Sequence, residues 1–176
     1  MKIYSAVKSW TMTALILILL GSTLGLSACK SAASLDANLA DLNKPVTAGI
    51  WKITLKGLPI SENVVGSGGV SHSAENGTYI IISAEVTNTG TDIVLFPEDL
   101  VFLKDSTGKE WPLTNSTPQF AYKQDVPDID ILMDSPVPGG QTRNTALIFD
   151  VDKAATGFVM VFHGYPDTLR LGYPAK

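Results

Sequence analysis

Cysteine is nearly absent: Cys29 is the one thiol in 176 residues, so no internal disulfide can form and disulfide-stapled scaffolds are excluded. Histidine occurs twice, at His72 and His163, and two imidazoles without a second thiol cannot build the usual four-ligand zinc site. Basic clusters are missing too. With 13 Lys plus Arg against 17 Asp plus Glu, the chain lacks the phosphate-neutralising surface that nucleic acids require, and they are excluded as partners. There is no Gly-x-Ser-x-Gly elbow, phosphate loop, dinucleotide fingerprint or His-Glu-x-x-His. Gly66-Ser-Gly-Gly69 lacks the Lys and the helix of a phosphate cradle and reads as a linker. The expectation is a chain that is not an enzyme and carries no cofactor and no metal.

Long hydrophobic runs are scarce as well. The longest, within Thr11 to Leu26, is 16 residues diluted by three Thr, one Ser and two Gly, against the roughly 20 apolar residues of a membrane-spanning helix. Its flanks give it another meaning. Lys2 and Lys8 precede it with no acidic residue, and small residues follow it, the three regions of an export signal. The signal ends in Leu26-Ser27-Ala28-Cys29, which resembles the bacterial lipobox. That resemblance implies a diacylglyceryl thioether on Cys29, acyl chains such as palmitate, and cleavage after Ala28. The alternatives are an ordinary secretory signal with Cys29 as a free thiol, and an uncleaved anchor. The twin arginine of the folded-export route is missing. Cleavage would remove residues 1–28 with Lys2 and Lys8, leaving 148 residues with 11 basic and 17 acidic side chains, a net charge of −6. Acyl chains contribute about 0.8 kcal/mol per buried methylene, so two or three of them anchor without a polybasic patch.

Lys30 to Asn43 places Leu35, Leu39 and Leu42 at i, i+4 and i+7, the spacing of a short amphipathic helix, although a flexible tether is the expected state after a lipidated cysteine. From Pro45 the pattern becomes short alternating runs of Val, Ile, Thr and aromatics, broken by Gly, Pro, Asn and Asp. Trp51, Ile53 and Leu55 alternate with Lys52, Thr54 and Lys56 as a half-buried strand. Gly57 to Ser73 reads as a flexible connection. Tyr79 to Val86 is the clearest strand, with Ile80, Ile82, Ala84 and Val86 on its core face. Asn88 and Gly90 suit a left-handed turn, and Ile93 to Phe96 reads as the returning strand, stopped by Pro97. Leu100 to Lys104 and Glu110 to Leu113 flank a hairpin with Gly108 available for positive φ. Thr142 to Val151, Phe158 to His163 and Thr168 to Tyr173 close the domain.

These elements amount to about seven strands at intervals of 8 to 12 residues. The predicted fold is all-β, an antiparallel sandwich. The organisation is a signal peptide over 1–28, a lipidated N-terminus and tether over 29–45, and the sandwich over 46–176.

Trp51 in its strand, Tyr79 to Gly90 ending in Asn-Thr-Gly, Leu103-Lys-Asp-Ser-Thr-Gly108, and Pro138-Gly-Gly-Gln-Thr142 before Leu147-Ile-Phe-Asp-Val151 stand in an order that resembles one bacterial family. It is the extracytoplasmic immunoglobulin-like domain of unknown function related to a small secreted mycobacterial immunoprotective antigen. The resemblance covers roughly Val46 to Gly164 and implies an immunoglobulin-like sandwich; it supplies no catalytic residues to transfer. The chain has no Cys-Trp-Cys arrangement, so it is not an antibody-type domain.

Thr114 to Pro138 holds four prolines, and from Thr114 to Pro136 the chain follows no family pattern. Irregular stretches of this length are usually functional or disordered. Phe120 and Tyr122 lie there beside Asp125, Asp128, Asp130 and Asp134, and these six residues form the candidate binding loop. Aromatic loops on a rigid sandwich commonly contact partners; the alternative is that the rings fold back onto the core. The acidic spacing does not match a calcium loop, and solvated carboxylates are the default. The functional expectation is a non-enzymatic binding or accessory module. It would be lipid-anchored on the extracytoplasmic side of the bacterial cell membrane or outer membrane and meet a protein or envelope polymer through loops or a sheet edge. The second possibility is a carrier or sensor for a small ligand in the envelope.

Overall fold

A computed structural model of the protein describes residues 40–172. The signal peptide, the lipobox residues Leu26, Ser27 and Ala28, and Cys29 lie outside the described residues, as does most of the expected tether. Among the described residues no helix is long and apolar enough to cross a membrane.

The organising element is β6 (Gly77–Asn88), the longest strand. Its apolar residues occupy both faces: Ile80, Ile82, Ala84 and Val86 point into the main core, whereas Tyr79 and Ile81 are buried on the other side. A strand buried on both faces can hold neighbours along its whole length. β9 (Thr142–Asp152) pairs antiparallel with it from Gly77↔Asp152 to Thr87↔Thr142. The opposite edge is shared by β2 (Trp51–Leu55), which pairs Trp51 with Asn88, and β3 (Ile60–Glu62), which pairs Ile60 with Ile81. Lys56 to Pro59 separates these two strands. β1 (Pro45–Ala48) adds an outer strand on β2.

The second sheet runs β11 (Thr168–Arg170), β10 (Val159–Phe162), β7 (Val101–Lys104), β8 (Glu110–Pro112). Leu103, Trp111, Met160, Phe162 and Leu169 face Ile53, Leu55, Ile82, Leu147 and Phe149 across the core. The chain crosses between the sheets at β6 to β7, at β8 to β9 and again at β9 to β10, and β2-β6-β9 faces β11-β10-β7-β8. This is the antiparallel arrangement of an immunoglobulin-like sandwich. The outer edge of β9, where a further strand stands in constant-type domains, is bonded by Thr114, whose N–H donates to the Ile148 carbonyl, and by Asp130, whose N–H donates to that of Asn144.

Four expectations change. Residues 93–96 form no strand among the described residues; Val94 makes a single bridge to Val137. The reason is occupancy, because Asn88 pairs with Trp51 and Thr87 with Thr142, leaving no free edge at that end of β6. Residues 57–73 are more ordered than a linker: β3 is followed by the hairpin β4 (Val64–Val65) and β5 (His72–Ser73). The third change is a ten-residue helix, α1 (Ser116–Asp125), inside the segment expected to be irregular. The Asn88 and Gly90 turn is also built otherwise, since neither residue has positive φ. Gly108 does, at 89°, as the β7–β8 turn requires.

Near the start of the described residues, Asp41 is tied to β11. Its N–H donates to the Arg170 carbonyl at 2.9 Å, and its carboxylate accepts from the Arg170 backbone and guanidinium at 2.9 to 3.2 Å. Those bonds hold the Asp41 carboxyl down at about 2. Leu42 packs against the main core.

Candidate functional site

The six predicted residues do not act as one loop. Asn115 caps α1 by accepting the Thr117 N–H at 3.0 Å, and Pro118 stands in the first turn, as helix starts tolerate. Tyr122 turns inward, half-buried against the cluster of Val65, Tyr79, Ile81, Ala146 and Ile148. Burial there, with Glu62 and Asp125 nearby, raises its hydroxyl pKa. Phe120 points outward and is 52% exposed. Asp125 and Asp128 are exposed. Asp130 lies along β9, its carbonyl accepting the Thr145 hydroxyl and its carboxylate 3.7 Å from Arg143. Asp134, in the left-handed region at φ 58°, accepts the Ser116 hydroxyl at 2.6 Å. Among the described residues no three His, Cys, Asp or Glu side chains converge to hold a metal ion.

What fastens this segment is Gln119, which sequence reasoning missed. Its amide is 1% exposed. Nε2 donates to the Ala146 carbonyl at 2.8 Å, and Oε1 accepts the N–H groups of Leu132 and Met133, each at 3.1 Å. One side chain thereby satisfies three backbone groups that α1 and the following chain would otherwise bury unpaired. Lys123 bonds the carbonyls of Pro127 and Ile129 in the turn after the helix. The Asn-Ser-Thr-Pro start was the available signal for this helix. The inward face, Pro118, Gln119 and Ala121, has no apolar periodicity that would show it.

The other long excursion, residues 89–100, is organised by Asn88. Its buried Nδ2 donates to the carbonyls of Asp92 and Val137 at 2.8 and 2.9 Å, and its Oδ1 accepts the Gly90 N–H. Val94 and Phe96 turn toward the core. Ile93 and Leu95 point away from it, 68% and 55% exposed. The β1–β2 turn lies at the same end, where Thr89 bonds the Ile50 carbonyl through its N–H and its hydroxyl. So does the β10–β11 loop, whose Tyr165 hydroxyl stands against Gly49. Ile50 and Tyr165 are exposed as well. Asp41 and Arg170 lie toward the other end of the second sheet, since Arg170 pairs with Val159 and Val159 with Lys104.

The histidines are accounted for by their surroundings. His163 stacks on Phe102 with ring centroids 3.9 Å apart, and its Nε2 is 2.9 Å from Glu110 Oε2. Both side chains are open to solvent, 49% and 36% exposed. His72 Nδ1 lies 2.7 Å from the Tyr79 hydroxyl, which donates to the Ser73 carbonyl. Burial, then the nearby Asp150 and Glu75, pushes the Tyr79 hydroxyl up to about 12. Asp105 accepts from Thr107, Lys109 and the Trp111 indole, and its pKa is lowered chiefly by Thr107. Asp105 thereby closes the β7–β8 turn.

No family model matches the chain, and no curated protein does. Among solved structures it is similar to a conserved hypothetical protein of Bacillus anthracis, at 14% identity and TM-score 0.52, over 75% of this chain and 94% of that one. It is also similar to an uncharacterized β-sandwich protein of Clostridium difficile 630, at 12% identity and TM-score 0.47, over 72% and 87%. A candidate lipoprotein of Bacillus subtilis strain 168 matches at 14% identity and TM-score 0.42, over 70% of this chain and 34% of that one. At these identities the Bacillus anthracis protein shows a shared fold.

Proposed function

We propose that the protein is a lipid-anchored binding module on the extracytoplasmic side of a bacterial envelope membrane, without enzymatic activity, and that it meets its partner through the loops at the β6–β7 end of the sandwich. The observation that carries this reading is the gathering of Ile50, Ile93, Leu95 and Tyr165, all exposed, on loops at one end, while Asp41, near the start of the described residues, is tied to Arg170 toward the other. Exposed apolar groups on loops held by a rigid scaffold are the usual makings of a contact surface. Sheet edges are less suited to meeting a partner. Pro45 and Pro112 stand in the outer strands β1 and β8, and Asp41 occupies the β11 edge, so pairing with a further strand is discouraged. The lipobox-like Leu26-Ser27-Ala28-Cys29 supports the anchor. The ordered motifs that resemble the mycobacterial antigen type support an extracytoplasmic domain of that kind.

The test is detergent partitioning and intact mass of the natively expressed chain beside Cys29→Ala. Wild type is expected in the detergent phase, lacking residues 1–28 and carrying acyl chains on Cys29, with the variant in the aqueous phase. Wild type in the aqueous phase, cleaved after Ala28 with a free thiol, would overturn the anchor.

A further inference from the structure

The loop end that exposes Ile93 and Leu95 also carries charge of one sign. Asp92, Glu98 and Asp99 flank the two apolar side chains along the same loop, and Asp167 stands in the β10–β11 loop beside Tyr165. The stretches that make up this end, residues 49–50, 89–100, 135–141 and 163–167, contain neither Lys nor Arg; Arg143 reaches the Pro136 carbonyl at their border and has Asp130 as its ion-pair partner. Elsewhere on the domain four carboxylates have cationic partners, Glu85 with Lys56, Glu110 with Lys104, Asp130 with Arg143, and Asp41 with Lys44 and Arg170, and others such as Asp105, Asp134 and Asp150 are taken up by hydrogen bonds. Among the described residues Asp92, Glu98, Asp99 and Asp167 form no ion pair.

An apolar centre with a charged rim is the anatomy of a protein–protein contact, and a rim of one sign selects the opposite sign on its partner. We infer that this end binds a protein whose contact surface places Lys or Arg side chains around an apolar centre. The same carboxylates repel anionic phospholipid headgroups, anionic wall polymers and nucleic acid. The occupant is therefore a cationic polypeptide surface and not the bilayer. This inference rests on the binding-module reading and adds the partner's chemistry to it.

The experiment is photo-crosslinking in cells of the full-length chain, with a benzophenone amino acid at position 93 or, separately, at position 120. Each is made in the wild-type background and in Asp92→Lys, Glu98→Lys, Asp99→Lys. These carboxylates are exposed and unpaired, so the charge-reversed chain should melt within a degree or two of wild type, which establishes that it folds. The expected result is a discrete, protease-sensitive adduct from position 93, at least about tenfold weaker after charge reversal and weakened by added salt. An adduct from position 93 that survives charge reversal, or one that resists protease, overturns the cationic protein partner while leaving a binding module. An adduct from position 120 alone moves the contact to α1 and overturns the surface. No adduct at either position overturns the binding reading together with this one.

Discussion

Two long excursions leave the sandwich, and they end differently. Residues 113–141 fold back: α1 covers the outer face of the β6 sheet and buries Ala121 there, and the chain after it returns Leu132, Met133 and Val137 to the main core. Residues 89–100 bury Val94 in part and Phe96 fully, and leave Ile93 and Leu95 in solvent. Each is held by one buried amide, Gln119 in the first and Asn88 in the second. The difference lies in what those amides reach. Gln119 bonds into β9 and to consecutive N–H groups thirteen and fourteen residues further on, so it pulls a whole segment onto the sheet. Asn88 bonds within its own turn and to Val137, which secures the base of the loop and leaves the flanks of Val94 outside.

If a single amide holds the covered excursion, removing it should cost most. Gln119→Leu leaves the Ala146 carbonyl and the Leu132 and Met133 N–H groups buried without partners, and should destabilise the protein by about 3 kcal/mol in urea denaturation. Hydrogen exchange should accelerate at Leu132 and Met133 and stay unchanged at Val94. The exposed excursion has its own weak point at Thr91, where Gly139 of the other excursion packs so closely that a Cβ would stand 2.5 Å from the Thr91 carbonyl carbon and oxygen. Gly139→Ala should cost about 2 kcal/mol and speed exchange at Val94 while sparing Leu132, the reverse of the first variant.

The smallest effect is a pH dependence confined to the covered side. The Tyr79 hydroxyl, at about 12 when folded against 10 ordinarily, holds its proton more tightly in the folded state. Its contribution is therefore complete below pH 10 and is lost as pH rises from 10 toward 12. Tyr79→Phe should lower stability by about 1 kcal/mol at neutral pH through the lost bonds to His72 and Ser73. It should also remove this part of the alkaline decline, measured by chemical denaturation across that range.

Much of the fold was readable from local pattern. The alternation in Trp51 to Leu55, in Ile80 to Val86 and in Phe158 to Phe162 put the right residues in the core, because a strand buried on one face must alternate. Alternation misled at Ile93 to Phe96, where the same pattern describes an extended loop whose pairing edge is taken by β2 and β9. α1 escaped notice because its buried face is Pro118, Gln119 and Ala121, and a polar residue at the centre of a helix–sheet contact carries no hydrophobic signal. The candidate binding loop was located from length and composition alone, which mark an excursion from the sandwich without saying which side chains face water. Phe120 and Tyr122, two residues apart on a helix, point to different sides.

The sequence by itself determined the all-β antiparallel class, the strand faces and the expectation of export and lipid attachment, since each rests on spacing along the chain. Which excursion is covered and which is left open was decided by the tertiary structure. Gln119 and Asn88 can satisfy distant backbone groups only once β9 and Val137 have been brought beside them, and no local pattern encodes that meeting.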